Sequence, residues 1–515
     1  MTQTSSTTEV ASWLPTADYR SPWEKLQVCV AGIGVSGIAC AKVLNALGAA
    51  VHVVDARNDE GEQVAAEQLE KLGVTVRLGD GHTLPAGCSL VVTSPGWRRE
   101  APLFAAATAS GIPVWGEPEL AWRLRRPDAP RWLVVTGTDG KTTTTLMLES
   151  ILRAAGLRTT SAGNIGTALV DVVNGPYDVL AVELGSFQLH WSRSVAPHAA
   201  AVLNVAPDHL DWWGGSFEEY SAAKALAFAH ASTIAVGNAD DVQTTRLIAR
   251  APGRRISFTL NSPRPGQVGI VEDLLVDRAF VDDPDEQASE LATLADIPVP
   301  GPHNVANALA AAALARSLST TADLEVGAEA VAEGLRTFSP AGHRIADVGE
   351  IDGVRYFDDS KATSPHAAAA SLTSFDSIVW IAGGLGKGIP FDDVVELAAT
   401  RLRGAVLFGA CRVEIREAMA RHAPDVPVVE VSEPETGSVQ QSIERVPGQL
   451  PDAVLDRIFD RVVAQAGAMA VPGDVVLLAP AAASMDMFRD YRQRGDLFVA
   501  AVERYRTSRS ASSGR

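Results

Sequence analysis

The sequence predicts an α/β protein of three domains, and three observations lead to that prediction. The first is the length of 515 residues, which is about three times the usual size of one domain. The second is a repeated order of apolar strand, turn and helix, which is typical of parallel sheets. The third is that Pro-rich stretches divide this pattern near residues 123–131 and 339–342.

Composition and charge exclude several classes of function. The chain is 46% hydrophobic and 21% charged, as in ordinary globular proteins. A net charge of −18 without a long Lys/Arg block argues against nucleic acid and anionic membranes as partners. No apolar run reaches about 18 residues, so we expect no membrane insertion. The four scattered cysteines are typical of a reducing compartment, and we expect a cytoplasmic protein.

The first predicted domain, residues 24–126, follows a Ser/Thr-rich segment, 1–23, that we expect to be a disordered tail. Its first strand leads into Gly32, Gly34 and Gly37, a G-x-G-x-x-G pattern, and Asp55 ends the next strand. This order predicts a Rossmann-like domain that accepts a phosphate at a helix N-terminus. The glycines fit a dinucleotide and simple strand-to-helix packing equally well, which leaves an NAD-dependent oxidoreductase open.

The central predicted domain, residues 131–339, opens with the strongest local motif of the chain. An apolar run, 132–135, leads into a glycine turn, a lysine and hydroxyl residues ahead of a helix. Backbone N–H groups of such a loop cradle phosphates, the lysine contacts the terminal phosphates, and the first hydroxyl holds Mg²⁺. The candidate nucleotide-binding residues are Gly137, Thr138, Asp139, Gly140, Lys141, Thr142 and Thr143.

Three further residues of the central domain suggest a metal site. Glu183 and His209 follow predicted strands, and Lys224 lies on a predicted helix. A carboxylate and an imidazole beside a phosphate loop can hold a divalent cation. The spacing alone also fits a structural His209 and a surface Lys224. Residues 261–287 predict a hairpin with an acidic loop.

The third predicted domain, residues 340–505, is again Rossmann-like, with strands near 354–358, 377–382, 404–408 and 474–478. The polar stretch 432–450 predicts a surface insertion, and the Ser/Arg-rich end, 506–515, predicts a second disordered tail.

The order of several motifs resembles the Mur ligase family of peptidoglycan synthesis, in the branch that adds D-glutamate. The resemblance runs from about residue 26 to residue 504 and rests on motifs at 136–143, 163–166, 183–188, 204–211, 224, 301–307, 343–344, 359–363, 383–388 and 479–496. It implies a central ATPase-type domain between the two Rossmann-like domains. The residues after Asp359, Ser-Lys-Ala-Thr, favour the D-glutamate branch over its sisters.

The resemblance also implies roles for individual residues. Lys224 would be carbamylated, and Thr142, Glu183, His209 and Lys224 would hold two Mg²⁺ ions. Lys141, Lys224, His209, Glu183, Arg344 and Lys361 would be catalytic. Asn304, Asn307, Arg344 and Asp359 would contact ATP. The UDP-N-acetylmuramoyl-L-alanine substrate would contact Val35, Ser36, Asp55, Arg57, Ser94, Gly96, Asn164, Ser186, Gln188 and His209, and D-glutamate would contact Thr363, Lys387, Ser484 and Tyr491.

The expected reaction is ATP-driven amide formation through an acyl phosphate, by a monomer. Three departures from the family pattern accompany it: Asp139 replaces an asparagine, Gly185 a serine and Ala482 a cysteine. Open alternatives are a sister Mur ligase or a folylpolyglutamate-type ligase, the oxidoreductase, and a non-catalytic binding relative.

Overall fold

The three-domain α/β prediction is confirmed in a computed structural model, which contains three separate sheets flanked by helices. It describes residues 13–298, 301–321, 323–339, 342–343, 345–386, 388–431 and 450–513. The contacts of the described residues group them into two compact units. The first lies within Met1–Val205, Leu210–Pro298 and Ala306–Phe338, and the second within Ala206–His209, Val299–Val305 and Ser339–Arg515.

The first sheet has five parallel strands in the order β3-β2-β1-β4-β5. Its central strands are short apolar runs that are buried along nearly their whole length, as expected for strands covered on both faces. The elements are β1 (Gln27–Ala31), α1 (Val35–Ala46), β2 (Ala50–Asp55), α2 (Glu60–Glu70), β3 (Thr75–Leu78), β4 (Leu90–Thr93), α3 (Pro102–Ala109), β5 (Val114–Gly116) and α4 (Glu117–Arg123).

The second sheet has nine strands in the order β14-β13-β12-β11-β10-β9-β6-β8-β7. The hairpin predicted at 261–287 is confirmed, since β12 and β13 pair antiparallel there. The elements are β6 (Arg131–Thr136), α5 (Lys141–Ala154), β7 (Thr159–Gly163), α6 (Leu169–Val172), β8 (Val179–Glu183), α7 (Ser186–His190), β9 (Ala199–Val202), α8 (Phe217–Ala225), β10 (Ile234–Asn238), α9 (Val242–Ile248), β11 (Arg255–Phe258), β12 (Gln267–Val271), β13 (Leu274–Asp277), β14 (Ser289–Thr293), α10 (Pro302–Ser317) and α11 (Ala328–Arg336).

The third sheet has six strands in the order β15-β16-β20-β17-β18-β19, and only the edge strand β15 runs antiparallel to its neighbour among these pairs. The elements are β15 (Ala346–Ile351), β16 (Val354–Asp358), α12 (Pro365–Leu372), β17 (Ile378–Gly383), α13 (Asp392–Ala398), β18 (Leu402–Phe408), α14 (Arg412–His422), β19 (Val428–Glu430), α15 (Asp452–Met469), β20 (Val475–Leu478) and α16 (Tyr491–Ser513).

One apolar core joins the first two sheets, which explains why they form a single compact unit. It includes Val28 and Val30 of β1 together with Trp132 of β6 and Val182 of β8, all nearly inaccessible to solvent. Burial of this much apolar surface is the main source of stability for the unit. The third sheet has two cores of its own, one on each face.

Two predictions about the tails are wrong within the described residues. Leu14 and Trp23 are buried, and Trp23 packs edge-on against Trp13 and Trp115, so residues 13–23 are part of the fold. Residues 506–513 continue α16, and Arg509 pairs with Asp352 at 2.7 Å. Ser and Arg do not interrupt a helix that is already formed. Residues 1–12, 432–449 and 514–515, on which the rest of these predictions fall, lie outside the described residues.

No helix in the described part of the chain is long and apolar enough to span a lipid bilayer.

Candidate functional site

The phosphate loop lies between the end of β6 and the first turn of α5, as predicted. Gly140 precedes the helix with a φ of +81°, in the left-handed region that favours glycine. A Cβ atom at this position would come within 2.4 Å of the Asn307 side-chain oxygen. The side chain of Asn307, a predicted ATP-binding residue, therefore lies against the loop. A residue larger than glycine at position 140 would displace that side chain.

Lys141 and Lys224, which are far apart in the sequence, converge on one backbone oxygen of this loop. Lys141 Nζ donates to Gly137 O at 2.9 Å and to Thr138 O at 2.6 Å. Lys224 Nζ donates to the same Gly137 O at 2.7 Å and lies 4.5 Å from the centre of the Tyr220 ring. Lys224 is 1% exposed, so a surface role for it is wrong.

Glu183 connects the loop to the neighbouring strand. Its carboxylate is 1% exposed and accepts hydrogen bonds from Thr142 Oγ1 at 2.8 Å and from Asn164 Nδ2 at 2.8 Å. The positions follow from the fold, because β6 and β8 are parallel neighbours whose carboxyl ends meet at one edge of the sheet. Predicted metal, nucleotide and substrate residues are thus brought together at this edge.

The donor set around Thr142 fits a magnesium ion. The Thr142 hydroxyl and the Glu183 carboxylate supply the hard oxygen ligands that Mg²⁺ prefers. As an ammonium, Lys224 donates a hydrogen bond and has no lone pair for a metal, and it would offer oxygen ligands only after it gains a carboxylate. Among the described residues, no three His, Cys, Asp or Glu side chains form a group that could hold a metal ion.

Asn204, for which no separate role is predicted from the sequence, fixes the backbone of the loop. Its side-chain oxygen accepts from the N–H groups of Thr138 at 3.1 Å and Asp139 at 2.9 Å, and its Nδ2 donates to Asp139 O. Thr138 Oγ1 also lies 2.9 Å from the Tyr220 hydroxyl. These bonds hold the loop independently of the Asp139 side chain, so the backbone geometry tolerates the replacement of asparagine at that position.

The first glycine turn offers a second, smaller polar site. A Cβ at Gly32 would come within 2.7 Å of Ser94 Oγ, which is buried and has no hydrogen-bond partner among the described residues. Ser94 therefore presents an unused hydroxyl beside the start of α1. The predicted neighbours Val35 and Ser36 form the first turn of that helix, and Val35 is 72% exposed. Gly96 follows in the same loop and has open space around its Cα.

Asp55 has a structural role in this turn. Its carboxylate accepts from Ile33 N at 2.9 Å and from the backbone and side chain of Arg57 at 2.9–3.2 Å. Burial opposes the charge on Asp55, but the hydrogen bonds from Arg57 and Ile33 outweigh it and hold the pKa of Asp55 below its usual range. Arg57 also pairs with Glu62 at 2.7 Å. Asp55 thus has little capacity left for a ribose.

The segment after Glu183 holds two more predicted substrate residues. Ser186 begins α7 and is nearly buried, and Gln188 Oε1 accepts from Gly185 N at 2.9 Å. Gln188 Nε2 is buried and has no partner in the described part of the chain. An unpaired buried amide next to a glycine leaves both a donor and space, which suits a polar ligand.

The second compact unit carries the remaining predicted residues. Asp359 accepts a short hydrogen bond from Ser371 Oγ, and Lys361 Nζ lies 5.2 Å from the centre of the Tyr491 ring. Thr363 follows in the same loop, where its N–H donates to Lys361 O. Ser484 begins a turn and caps no helix, because its carbonyl accepts from Met487 and Phe488 before α16 begins. The structure therefore brings Lys361 and Tyr491 together.

Two further predicted residues, His209 and Asn304, belong to this second unit. His209 has a φ of +50°, is partly exposed and lies 3.7 Å from Asp208. Asn304 is 4% exposed, with its Nδ2 3.0 Å from His303 Nε2. Arg344 and Lys387 lie outside the described residues.

Arg494 organises the second unit, and sequence reasoning missed it. It is fully buried, and its guanidinium donates to Ser360 Oγ, Ser360 O and Ala482 O at 2.7–3.1 Å. Burial lowers the pKa of Arg494 to about 10. These bonds tie the Asp359–Thr363 loop to the segment that carries Ser484. Arg494 lies in a polar run, Arg492-Gln-Arg494, which is typical of an exposed segment. The sequence therefore does not indicate that Arg494 is buried.

Comparisons with known proteins relate the chain to one family. The Mur ligase middle domain matches residues 135–315, and the MurD-like N-terminal domain of Mur ligases matches residues 26–116. The chain is 54% identical over 486 residues to UDP-N-acetylmuramoylalanine–D-glutamate ligase of Streptomyces avermitilis, covering 93% of this chain and 98% of that one. It is 45% identical over 489 residues to the enzyme of that name from Mycobacterium bovis, covering 92% and 95%.

Solved structures show the same fold at lower identity. UDP-N-acetylmuramate-alanine ligase from Thermotoga maritima matches with a TM-score of 0.53 and 20% identity, covering 94% of this chain and 100% of that one. A pseudomurein peptide ligase type C from Methanothermus fervidus matches with a TM-score of 0.55 and 18% identity, covering 93% and 100%. At these identities the matches concern the fold alone.

Proposed function

The chain belongs to the Mur ligase family, and from this membership and the geometry of its phosphate loop we propose that it joins D-glutamate to UDP-N-acetylmuramoyl-L-alanine at the cost of ATP. The single observation that carries the proposal is the cluster of Lys141, Thr142, Glu183 and Lys224 around one loop, in a chain more than half identical to D-glutamate ligases. The reaction belongs to precursor synthesis for peptidoglycan, in the cytoplasm, where ATP is available. We propose a monomer.

The proposed reaction has two steps. The carboxylate of the UDP substrate attacks the γ-phosphorus of ATP, which forms an acyl phosphate and releases ADP. The amine of D-glutamate then attacks the acyl carbon, and phosphate leaves with the C–O bond electrons. The protein contributes mainly positioning and charge, because phosphoryl transfer needs little covalent help from side chains.

The loop residues have separate tasks in this scheme. Backbone N–H groups of residues 137–143 hold the phosphates at the start of α5, and Lys141 turns from its loop carbonyls to the transferring group. Thr142 and Glu183 would hold Mg²⁺, which offsets negative charge on the phosphates when it is bound. We propose two such ions, with His209 as a further ligand. Asn304, Asn307, Asp359, Arg344 and Lys361 would contact the nucleotide.

Carbamylation of Lys224 is part of the proposal. Its Nζ and that of Lys141 both contact Gly137 O, so two cations lie side by side at a buried position. Loss of a proton from the Lys224 ammonium, addition of CO₂ to the resulting amine and loss of a second proton would replace one positive charge by a negative one and supply oxygen ligands for a metal. Attraction between the carbamate and Lys141 would then take the place of repulsion.

The two substrates would occupy the remaining polar positions. The unpaired Ser94 hydroxyl and Gln188 amide support contacts to the UDP substrate, together with Val35, Ser36, Arg57, Gly96, Asn164 and Ser186. We assign Asp55 to holding the glycine turn. Thr363, Lys387, Ser484 and Tyr491 would receive the carboxylates of D-glutamate, for which hydroxyl and ammonium donors are suitable.

Phosphate release tests this function. The purified protein, ATP, Mg²⁺ and UDP-N-acetylmuramoyl-L-alanine are combined in turn with D-glutamate, L-glutamate, L-lysine or diaminopimelate. We expect release with D-glutamate at a kcat/KM at least about 10³ times that with L-glutamate, since the misplaced carboxylate leaves buried donors unpaired. Equal rates with two of these amino acids would contradict the D-glutamate assignment. Nicotinamide reduction without ATP consumption would contradict the ligase class.

A further inference from the structure

A cavity of about 420 Å³ lies beside the segment that joins the first sheet to the second, away from the residues described so far. It belongs to the first compact unit. Its lining is polar and aromatic and includes Tyr19, Trp122, Arg123, Arg125, Arg126 and Ser194. Three arginines in four positions are unusual on a body with a net charge of −18.

Arg125 is the central feature of this cavity. Its guanidinium stacks on the Trp122 ring, 3.8 Å from the ring centre, and Trp122 in turn packs edge-on against Trp132. Arg125 Nε is buried and has no hydrogen-bond partner among the described residues. Burial without a carboxylate lowers the pKa of Arg125. A partly buried cation without a counter-charge destabilises the protein until an anion contacts it.

Two carboxylates near the cavity, those of Glu119 and Asp18, accept hydrogen bonds from groups other than Arg125 and Arg126. Glu119 accepts from Arg123 Nε at 3.0 Å and from Ser194 Oγ at 2.6 Å. Asp18 accepts from the N–H of Arg20 at 2.9 Å within its own turn. Within the described ranges, the guanidinium groups of Arg125 and Arg126 have no carboxylate partner, and the three arginines of the lining outnumber its one carboxylate, Asp18.

We propose that this cavity binds a small phosphate-bearing molecule, with its phosphate held by Arg125 and Arg126. Planar guanidinium groups match the oxygen pairs of a phosphate, and a dianion balances two of them. The volume accommodates more than phosphate alone, and the Tyr19 and Trp122 rings provide apolar surface for an organic group. Nucleic acid is a poorer candidate because the acidic body repels long polyanions.

The cavity is separate from the catalytic loop. The arginines precede Arg131, the first residue of β6, whereas the phosphate loop follows Thr136 at the other end of that strand. The strand rise of about 3.3 Å per residue places the two ends of β6 about 17 Å apart. A ligand in the cavity would therefore bind without competing for the loop.

Thermal unfolding of the full chain tests the proposal with inorganic phosphate and phenyl phosphate as probes, against sodium chloride of equal ionic strength. We expect each probe to raise Tm saturably in the wild type and in Lys141→Ala, which removes the lysine of the catalytic loop. The rise should disappear when Arg125→Gln is combined with Lys141→Ala, and Arg125→Gln alone should have a higher Tm than the wild type without a probe. The exposed Arg264 provides a matched control, Arg264→Gln, that should keep the full response.

The outcomes separate the two sites and the two ligand sources. A Tm rise that survives in the double variant Arg125→Gln/Lys141→Ala, or that vanishes in Lys141→Ala alone, would overturn the proposal, as would the absence of any rise with either probe. A response to phenyl phosphate at far lower concentrations than to phosphate indicates an organic phosphate, and equal responses indicate free phosphate. If Arg125→Gln does not fold, Arg126→Gln, which changes an exposed residue, tests the cavity in its place. We expect it to lose at least half of the rise in Tm that the probes cause.

Discussion

Lys224 is the residue on which the proposed chemistry depends most, because its buried amine shares a loop carbonyl with Lys141. We expect Lys224→Ala to lower kcat by about 10²- to 10³-fold, since the site loses a group that acts on transition-state charge. Circular dichroism should show a folded protein, because the loop is still held by Asn204. Initial rates of phosphate release provide the measurement.

The space left by the side chain in Lys224→Ala allows a second experiment, which tests the role of the carbamate oxygens. Truncation leaves space that a small carboxylic acid such as propionate can enter, and its carboxylate would replace the carbamate oxygens. We expect partial recovery of kcat with propionate and none with propionamide. Lys71→Ala, an exposed lysine after α2, is the matched control and should behave as the wild type. Wild-type turnover in Lys224→Ala would exclude the carbamate role.

Individual residues were predictable where a local motif dictates them. Lys141 and Thr142 follow from the glycine turn, and Glu183 follows from its position at the end of a strand. The burial of Arg494 could not be predicted, because its partner Ser360 lies 134 residues away in the sequence, and both Ser360 and Ala482 accept through backbone oxygens that no sequence pattern marks. Likewise, the saturation of Asp55 by Arg57 depends on how the chain turns after β2.

Among the elements, α4 carries a buried acid at the junction of the first two sheets. Glu117 begins this helix, accepts from Val170 N at 2.8 Å, and has one carboxylate oxygen without a partner among the described residues. Burial raises the pKa of Glu117 from 4.5 to about 7. Folding therefore favours the protonated form of Glu117. The stabilisation that this proton gives to the folded state is complete below about pH 4.5 and is lost as the pH rises to 7.

Glu117→Gln tests this pH dependence. Glutamine keeps the side-chain oxygen that accepts from Val170 N, and it carries no charge. It therefore removes the free-energy cost that burial of Glu117 has at neutral pH, where the acid must either stay ionised or take up a proton. We expect the variant to unfold at higher urea concentration than the wild type at pH 7.5, with a gain of up to about 3 kcal/mol, and to match it at pH 4.5. Glu67→Gln, an exposed position on α2, should change neither value. An equal gain at both pH values would contradict the shifted pKa of Glu117.

The sequence predicts the strands and the glycine turns well. The strands are recognisable because buried parallel strands are short apolar runs. The order in the N-terminal segment was not predicted, although Trp13, Leu14 and Trp23 are large apolar residues of the kind that packs into a core. Serine and threonine dominate its composition, and only the packing of Trp23 on Trp115 reveals that the segment belongs to the first unit.

Across the whole molecule, an acidic chain handles anionic substrates through a few local cations. The net charge of −18 would repel nucleotides at long range, so binding depends on loop N–H groups and on lysines such as Lys141. The family fold and the three sheets were predictable from the order of the motifs. The extra arginine cavity was not, because no local pattern distinguishes it from an ordinary linker.

Oxygen-18 in the alanine carboxylate of UDP-N-acetylmuramoyl-L-alanine tests the proposed ligation most directly. The labelled substrate, ATP, Mg²⁺ and D-glutamate are incubated with the protein, and the released phosphate is analysed by mass spectrometry. Transfer through an acyl phosphate predicts that each released phosphate carries one oxygen from the carboxylate. Phosphate without the label would mean that water attacks ATP, and would contradict the proposed ligation.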